Sequence, residues 1–177
     1  MTTTTTITTT TPATDAKTAY AHEHGPRLAF AEQVPEFYKA MIRLEQAAAK
    51  DVDPTLYELI KIRASQLNKC AFCLDMHTKD ALAAGESVER IVQLSAWEES
   101  RHFYTERELA ALALTEAVTV LTDGFVPDEV YAKAAAHFDE TELARIIGAI
   151  TVINAWNRIA VSTRMTPGHY TPGMYKK

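Results

Sequence analysis

Apolar residues along this chain recur at three- and four-residue intervals, the spacing of one face of an α-helix. Phe37, Met41, Leu44 and Ala48 keep that spacing after Pro35, and Leu56, Leu59, Ile60, Ala64 and Leu67 keep it after Pro54. Leu143, Ile146, Ile147, Ile150, Ile153 and Trp156 carry the longest stripe. Punctuation between the stripes sets the boundaries. Pro26 opens a short helix through Gln33, Pro35 opens the next over 35–50, and Asp53-Pro54 starts a third, since proline is tolerated in the first turn. Asn68-Lys69 is the expected break, with Asn68 as N-cap of a following helix that runs to Ala84 and stops at Gly85. Ser87 caps the short helix VERIVQLS. Thr105-Glu-Arg-Glu108 has the form of a capping box and starts a helix to about Leu121. Asp123-Gly124 reads as a turn, Pro127 opens a helix to about Ala136, and Asp139-Glu-Thr-Glu142 starts the last one, to about Arg164. Strand alternation is found nowhere over a useful length, so the fold expected is an all-α bundle of about seven to eight helices.

The two ends differ from this body. Residues 1–18 are dominated by threonine and offer almost nothing to bury, which predicts a disordered tail or an arm. Residues 166–177, TPGHYTPGMYKK, contain two Thr-Pro-Gly steps and read as a non-helical arm lying on this subunit or a neighbour. Residues 19–165 form the helical domain. The chain of 177 residues holds one sizeable core rather than two. Eighteen basic and 23 acidic residues give a net charge of −5 with no basic run, which argues against nucleic acid or an anionic membrane as partner. No apolar stretch approaches a membrane span, and the start of the chain carries no secretory signal.

Composition yields one point of chemistry. The only two cysteines are Cys70 and Cys73, and His77 follows them. Residues three, four and seven apart share a helix face, so two thiols and an imidazole would stand together. The Cα atoms of such an i, i+3 pair lie roughly 5 Å apart, within reach of a disulfide. A helix beginning near Cys70 would lower its thiol pKa, and a base one turn beyond Cys73 supplies what an activated nucleophile requires. In a leaderless chain such a pair reads as catalytic or metal-binding, in a reducing, cytoplasmic setting.

Glu58, eleven residues, Cys70-x-x-Cys73, three residues and His77 together resemble the signature of the alkylhydroperoxidase D and carboxymuconolactone decarboxylase family. The resemblance continues through SAWEESRHFYTERELAALALTEAVT and VINAWNRIAVSTRM, over about residues 35–165. It implies an alkylhydroperoxidase D-like bundle, assembled as a homo-oligomer (trimer or hexamer), and a dithiol peroxidase that uses no cofactor. Cys73 would attack the hydroperoxide, Cys70 would resolve the sulfenic acid as a disulfide, and Glu58 and His77 would move protons. A dithiol donor such as a lipoyl group on a carrier would reduce the disulfide. Decarboxylase members lack the cysteine pair, which favours the peroxidase branch here.

Other readings stand beside this one. Glu58 by spacing alone is an exposed helix charge: on one continuous helix it would point about 120° away from Cys70, and the two converge only if the chain turns at Asn68-Lys69. Once partly buried near two thiols, its pKa would be raised. Some family members carry a histidine between the cysteines; Phe72 stands there in this chain, which implies either a bridging water between Glu58 and His77 or a shorter relay. Cys70, Cys73, His77 and Glu58 could instead hold zinc. A lyase on the same scaffold, with His77 and Glu58 as acid and base, and a non-catalytic redox-sensing module are the remaining alternatives. Trp97 and Trp156 read as core. Asn154 and Asn157 on an apolar helix must find partners, across an interface or at the site.

Overall fold

The computed structural model describes residues 25–174. Among the described residues eight α-helices follow in order: α1 (Phe30–Gln33), α2 (Pro35–Ala49), α3 (Pro54–Leu67), α4 (Ala71–Ala83), α5 (Val88–Gln93), α6 (Glu106–Thr119), α7 (Asp128–Ala135) and α8 (Glu140–Thr163). Two 3-10 turns, Leu94–Ala96 and Arg101–Phe103, join α5 to α6. No strand occurs among the described residues, and the fold is all-α. No described helix is long and apolar enough to cross a membrane. The Thr-rich segment 1–18 lies outside the described residues.

The helix starts follow the capping logic of the sequence. Asp53 accepts the Leu56 amide at 2.9 Å, and Pro54 occupies the first turn of α3. Thr105 with Glu108, and Asp139 with Glu142, both close reciprocal capping boxes at α6 and α8. Gly85 sits at φ +98 just past α4, the left-handed conformation that glycine adopts without a Cβ penalty, and Glu86 N–H returns to Ala81 C=O at 3.0 Å.

Three expectations change. The first helix does not open at Pro26: Arg27 N–H donates to Thr163 C=O at 2.8 Å, which ties this segment to the end of α8 and leaves Phe30–Gln33 as a single turn. Asn68 is not the N-cap of the cysteine helix. It closes α3 in a right-handed conformation, Lys69 turns the chain at φ +53, and Cys70 itself takes the N-cap position of α4. The α6 helix ends at Thr119, ahead of Leu121, where Val120 leaves the helical region after a run of β-branched residues.

The α3 helix runs through the middle of the bundle, packed against α4, α6 and α8. Its Leu56, Leu59, Ile60, Ile62 and Ala64 are all buried, spread around most of its circumference, as a central helix requires. One apolar cluster joins Leu56, Ile60, Leu114, Ile146 and Ile150; a second joins Leu59, Ile62, Leu94, Trp97 and Leu112. A third, smaller cluster holds Ala64, Ile153 and Ala160 around the two cysteines. The α3–α4 hairpin thereby presents Glu58 and the cysteine helix to one another, with α8 behind the thiols.

Candidate active site

The left-handed turn at Lys69 reverses the chain between α3 and α4, and this is what brings Glu58 to His77. Glu58 Oε2 lies 3.1 Å from His77 Nδ1. His77 is buried, and burial is the largest influence on it; together with the Lys61 charge it holds the imidazole below its usual pKa, against the opposing pull of Glu58. A neutral ring beside a carboxylate donates from Nδ1, so Nε2 keeps a lone pair for a proton.

The expected rise in the Glu58 pKa is reversed. Burial pushes it upward, but the hydrogen bond and charge of His77 and the ammonium of Lys61 outweigh burial and hold the carboxylate below its ordinary range. Lys61 is the residue that the sequence reading overlooked. Its Nζ is 2.7 Å from Glu58 Oε1 and 3.8 Å from Glu45 Oε1, almost wholly buried between them. Tyr57 donates to the same Glu45 oxygen at 2.8 Å, and its ring lies beneath the Lys61 ammonium, 4.1 Å from Nζ to centroid. A lysine three residues after a site glutamate is the signal that could have been read.

Cys70 and Cys73 are both free thiols, 1% and 2% exposed. Cys70 is held down to about 7, chiefly by the hydrogen bond from Cys73, with the Cys73 and Phe72 amides at the helix start and the Asn157 side chain adding to it against burial. Cys73 is pushed up correspondingly, by that same bond and by burial. The bond between the two sulfurs thus favours the proton on Cys73 and makes Cys70 the more readily ionised of the pair. Asn157 is buried on α8; its Nδ2 donates to Ser65 Oγ at 3.0 Å, and its Oδ1 accepts from Asn68 Nδ2 at 2.9 Å. Asn68 Nδ2 also meets Asn154 Oδ1 at 2.9 Å. The two asparagines of α8 therefore bond within the subunit, and Asn157 favours the ionised form of both thiols.

Cys73, but not Cys70, borders a cavity of about 350 Å³. Its floor carries Glu58, Lys61, His77 and Asp80; Phe72, Met76, Trp156 and Met165 are among its apolar walls. Trp156 is therefore a wall of this cavity, stacked edge-on against Tyr38 at 5.4 Å, rather than core, whereas Trp97 is buried as expected. Glu58 also borders a second cavity of about 230 Å³ on its other side, with Thr55, Ala84 and Arg90. Among the described residues, the donors that could share a metal ion are Glu58, His77 and Asp80, within 4.8 Å of one another; the cysteines do not join them. Lys61 already places a cation against Glu58, which disfavours a second one there. Asp80 was legible as well: with Cys73 and His77 it completes an i, i+4, i+7 face.

A helical bundle with a buried Cys-x-x-Cys pair, one thiol on a cavity beside a Glu–His couple, defines a class of thiol-bearing all-α protein. Residues 35–117 match the carboxymuconolactone decarboxylase family. An uncharacterized Bacillus subtilis protein, YdfG, is 43% identical over 137 residues, covering 77% of this chain and 92% of its own. The chain belongs to the carboxymuconolactone decarboxylase family. Among solved structures, an Agrobacterium tumefaciens protein of unknown function, described as a candidate antioxidant defence protein AhpD, superposes with a TM-score of 0.79 at 39% identity. That match covers 82% of this chain and all of the other. An uncharacterized peroxidase-related protein from Ralstonia eutropha, with an alkylhydroperoxidase AhpD core, shares the fold at TM-score 0.69 and 17% identity, over 81% of this chain and 77% of its own.

Proposed function

We propose that this protein is a dithiol peroxidase that reduces hydroperoxides through Cys73 and Cys70. The observation that carries this is the 3.1 Å contact between Glu58 and His77, which arms an imidazole one turn from a cavity-facing thiol. It also supports the shorter relay: Glu58 meets His77 directly, with no histidine at the Phe72 position. Cys73 sulfur attacks the outer oxygen of the O–O bond. That bond breaks, the sulfur is oxidised to sulfenic acid, and the thiol proton passes through His77 Nε2 to the departing alkoxide, which leaves as alcohol. Cys70, as thiolate, then attacks the Cys73 sulfur. Hydroxide departs, takes from solvent the proton that Cys70 gave up on ionising and leaves as water, and the disulfide remains. A dithiol donor, a lipoyl group or a thioredoxin-like protein, returns the pair to its reduced state by exchange.

The lowered pKa of Cys70 pulls against these roles, since the thiolate is the nucleophile, and alkylation that maps the reactive thiolate to Cys70 alone would exchange them. What supports Cys73 as the sulfur that meets the peroxide is its place on the cavity, which Cys70 does not border. A steady-state assay with cumene hydroperoxide, using dihydrolipoamide as reductant, tests the reading. Turnover is expected in the wild type and not in the Cys70→Ser/Cys73→Ser variant; equal turnover in both would overturn it. The reading includes a homo-oligomer, trimer or hexamer. Its support is a broad groove between α2 and α8, bordered by Leu44, Ala47, Ile147 and Thr151, with Phe37 and Leu44 about half exposed nearby.

A further inference from the structure

Lysine is almost never fully buried unless it is paired, and Lys61 on α3 is 5% exposed. A buried ion pair is a poor source of stability, because apolar side chains of similar volume serve as well or better. The pairing therefore points to the site rather than to the fold, and its geometry is specific. Lys61 Nζ donates to Glu58 Oε1 at 2.7 Å, and His77 Nδ1 lies 3.1 Å from the other oxygen, Oε2. Each oxygen of the carboxylate has its own partner, which fixes the plane of Glu58 from two sides. The ammonium is held in its turn. Glu45 Oε1 on α2 stands 3.8 Å from Nζ, Tyr57 donates to that oxygen at 2.8 Å, and the Tyr57 ring faces the ammonium at 4.1 Å. The charges around the imidazole show what this ammonium does. To the cavity that His77 borders, α2 brings Glu45, α3 brings Glu58 and Lys61, and α4 brings Cys73 and Asp80. The α8 helix lines it with Trp156 and Ala160, and the segment after α8 with Met165 and Tyr170. Three carboxylates thus meet one ammonium: Lys61 is the one lysine or arginine bordering this cavity among the described residues. Without it, Glu58 Oε1 would lose its partner and the carboxylates would face the ring unopposed, which favours a proton on both ring nitrogens.

We propose that Lys61 is a positioning residue of the relay: by claiming one oxygen of Glu58 it directs the other to His77 Nδ1, and so holds the ring in the tautomer that keeps the Nε2 lone pair free for a proton. Glu45 and Tyr57 set where the ammonium stands. The inference rests on the peroxidase reading for the proton that His77 moves, but the state of the ring is measurable without peroxide. Histidine labelled at its ring nitrogens is incorporated, and the His77 signals, assigned by their loss in His77→Gln, are read by long-range proton–nitrogen NMR. The reduced wild type, Lys61→Met and Lys61→Arg are compared at about pH 7.5, roughly one unit above the free imidazole value. Peroxide turnover is measured in the same proteins, with kcat and KM separated. In wild type one ring nitrogen is expected to carry a proton and the other a lone pair. Lys61→Met should give mixed tautomers or a ring protonated at both nitrogens. Its kcat should fall roughly tenfold to a hundredfold with KM unchanged, the scale of a misplaced reacting group. Lys61→Arg, which keeps the charge, should restore most of the wild-type ring signature and part of kcat. If Lys61→Met does not fold, Lys61→Gln carries the test, with a smaller change in the same direction. A ring signature unchanged in the folded neutral variant overturns the inference and leaves the peroxidase reading to its own assay. So does Lys61→Arg no closer to wild type than Lys61→Met, which would assign the effect to packing. A signature that changes as expected in a protein whose wild type is inert to peroxide upholds the hold on His77 and removes the peroxidase.

Discussion

At the scale of single residues, charge is distributed by hydrogen bonds rather than by the helix start alone. Cys70 is the N-cap of α4, but the largest influence on its thiol is the bond from Cys73. Cys73→Ala removes that donor, so the Cys70 pKa should rise from about 7 toward the ordinary thiol range, measured by thiolate absorbance against pH. A midpoint that stays put would assign the shift to the helix start and Asn157. Glu58→Gln keeps a hydrogen-bonding oxygen beside His77 but loses the charge that stabilises an imidazolium. Peroxide turnover should fall by about a hundredfold or more, as for loss of a general-base couple. Stability should follow the same groups. His77 and Glu58 both have folded pKa values below their ordinary 6.5 and 4.5. The unfolded chain therefore binds more protons, and stability falls as pH drops, beginning near 6.5 with His77 and continuing below 4.5 with Glu58, until each folded value is passed. Urea unfolding across that range checks it; a flat profile between pH 7 and 5 (about one unit either side of the free His pKa) would deny that His77 is buried neutral.

At the scale of elements, the turn between α3 and α4 decides whether a site exists. The sequence placed a break at Asn68-Lys69 and saw that Glu58 and the cysteines converge only through it, and the break is there. What it did not yield was the role of Asn68. Asparagine before a helix reads as an N-cap, because propensity is local, whereas here its amide is claimed by Asn154 and Asn157 from a helix more than eighty residues away in sequence. The same reason left Asn157 open between an interface and the site, since its effect on the thiols depends on how α8 crosses the hairpin. Helix limits were legible at Pro54, Gly85, Thr105 and Asp139, where Pro, Gly or a capping box marked them. They were missed where a tertiary bond took over, as at Arg27. Asn68→Ala should leave two buried amide oxygens without this donor and destabilise the fold by about 1–3 kcal/mol. It should also slow peroxide turnover by shifting Cys70; a loss of stability with unchanged turnover would separate the turn from the site.

On the scale of the whole molecule, the bundle divides its labour. Three apolar clusters fix α3 in the centre, and the smallest of them surrounds the thiols. The polar residues lie where α2, α3 and α4 meet, so Glu45, Glu58 and Lys61 face a cavity instead of solvent. On the proposed reading, the groove between α2 and α8 takes a second copy of the chain. Sedimentation should therefore give a trimer or hexamer, and Leu44→Glu should dissociate it; a wild-type monomer would remove assembly from the account. The central claim concerns two sulfurs, and one experiment meets it directly. The protein is reduced, freed of reductant and mixed with a limiting amount of cumene hydroperoxide, and peroxide and free thiols are followed together in wild type, Cys73→Ser and Cys70→Ser. The account predicts one peroxide consumed for each pair of thiols lost in wild type, no consumption in Cys73→Ser, and a sulfenic acid that forms and persists in Cys70→Ser. Thiols that survive untouched, or a Cys73→Ser variant that still consumes peroxide, would contradict it.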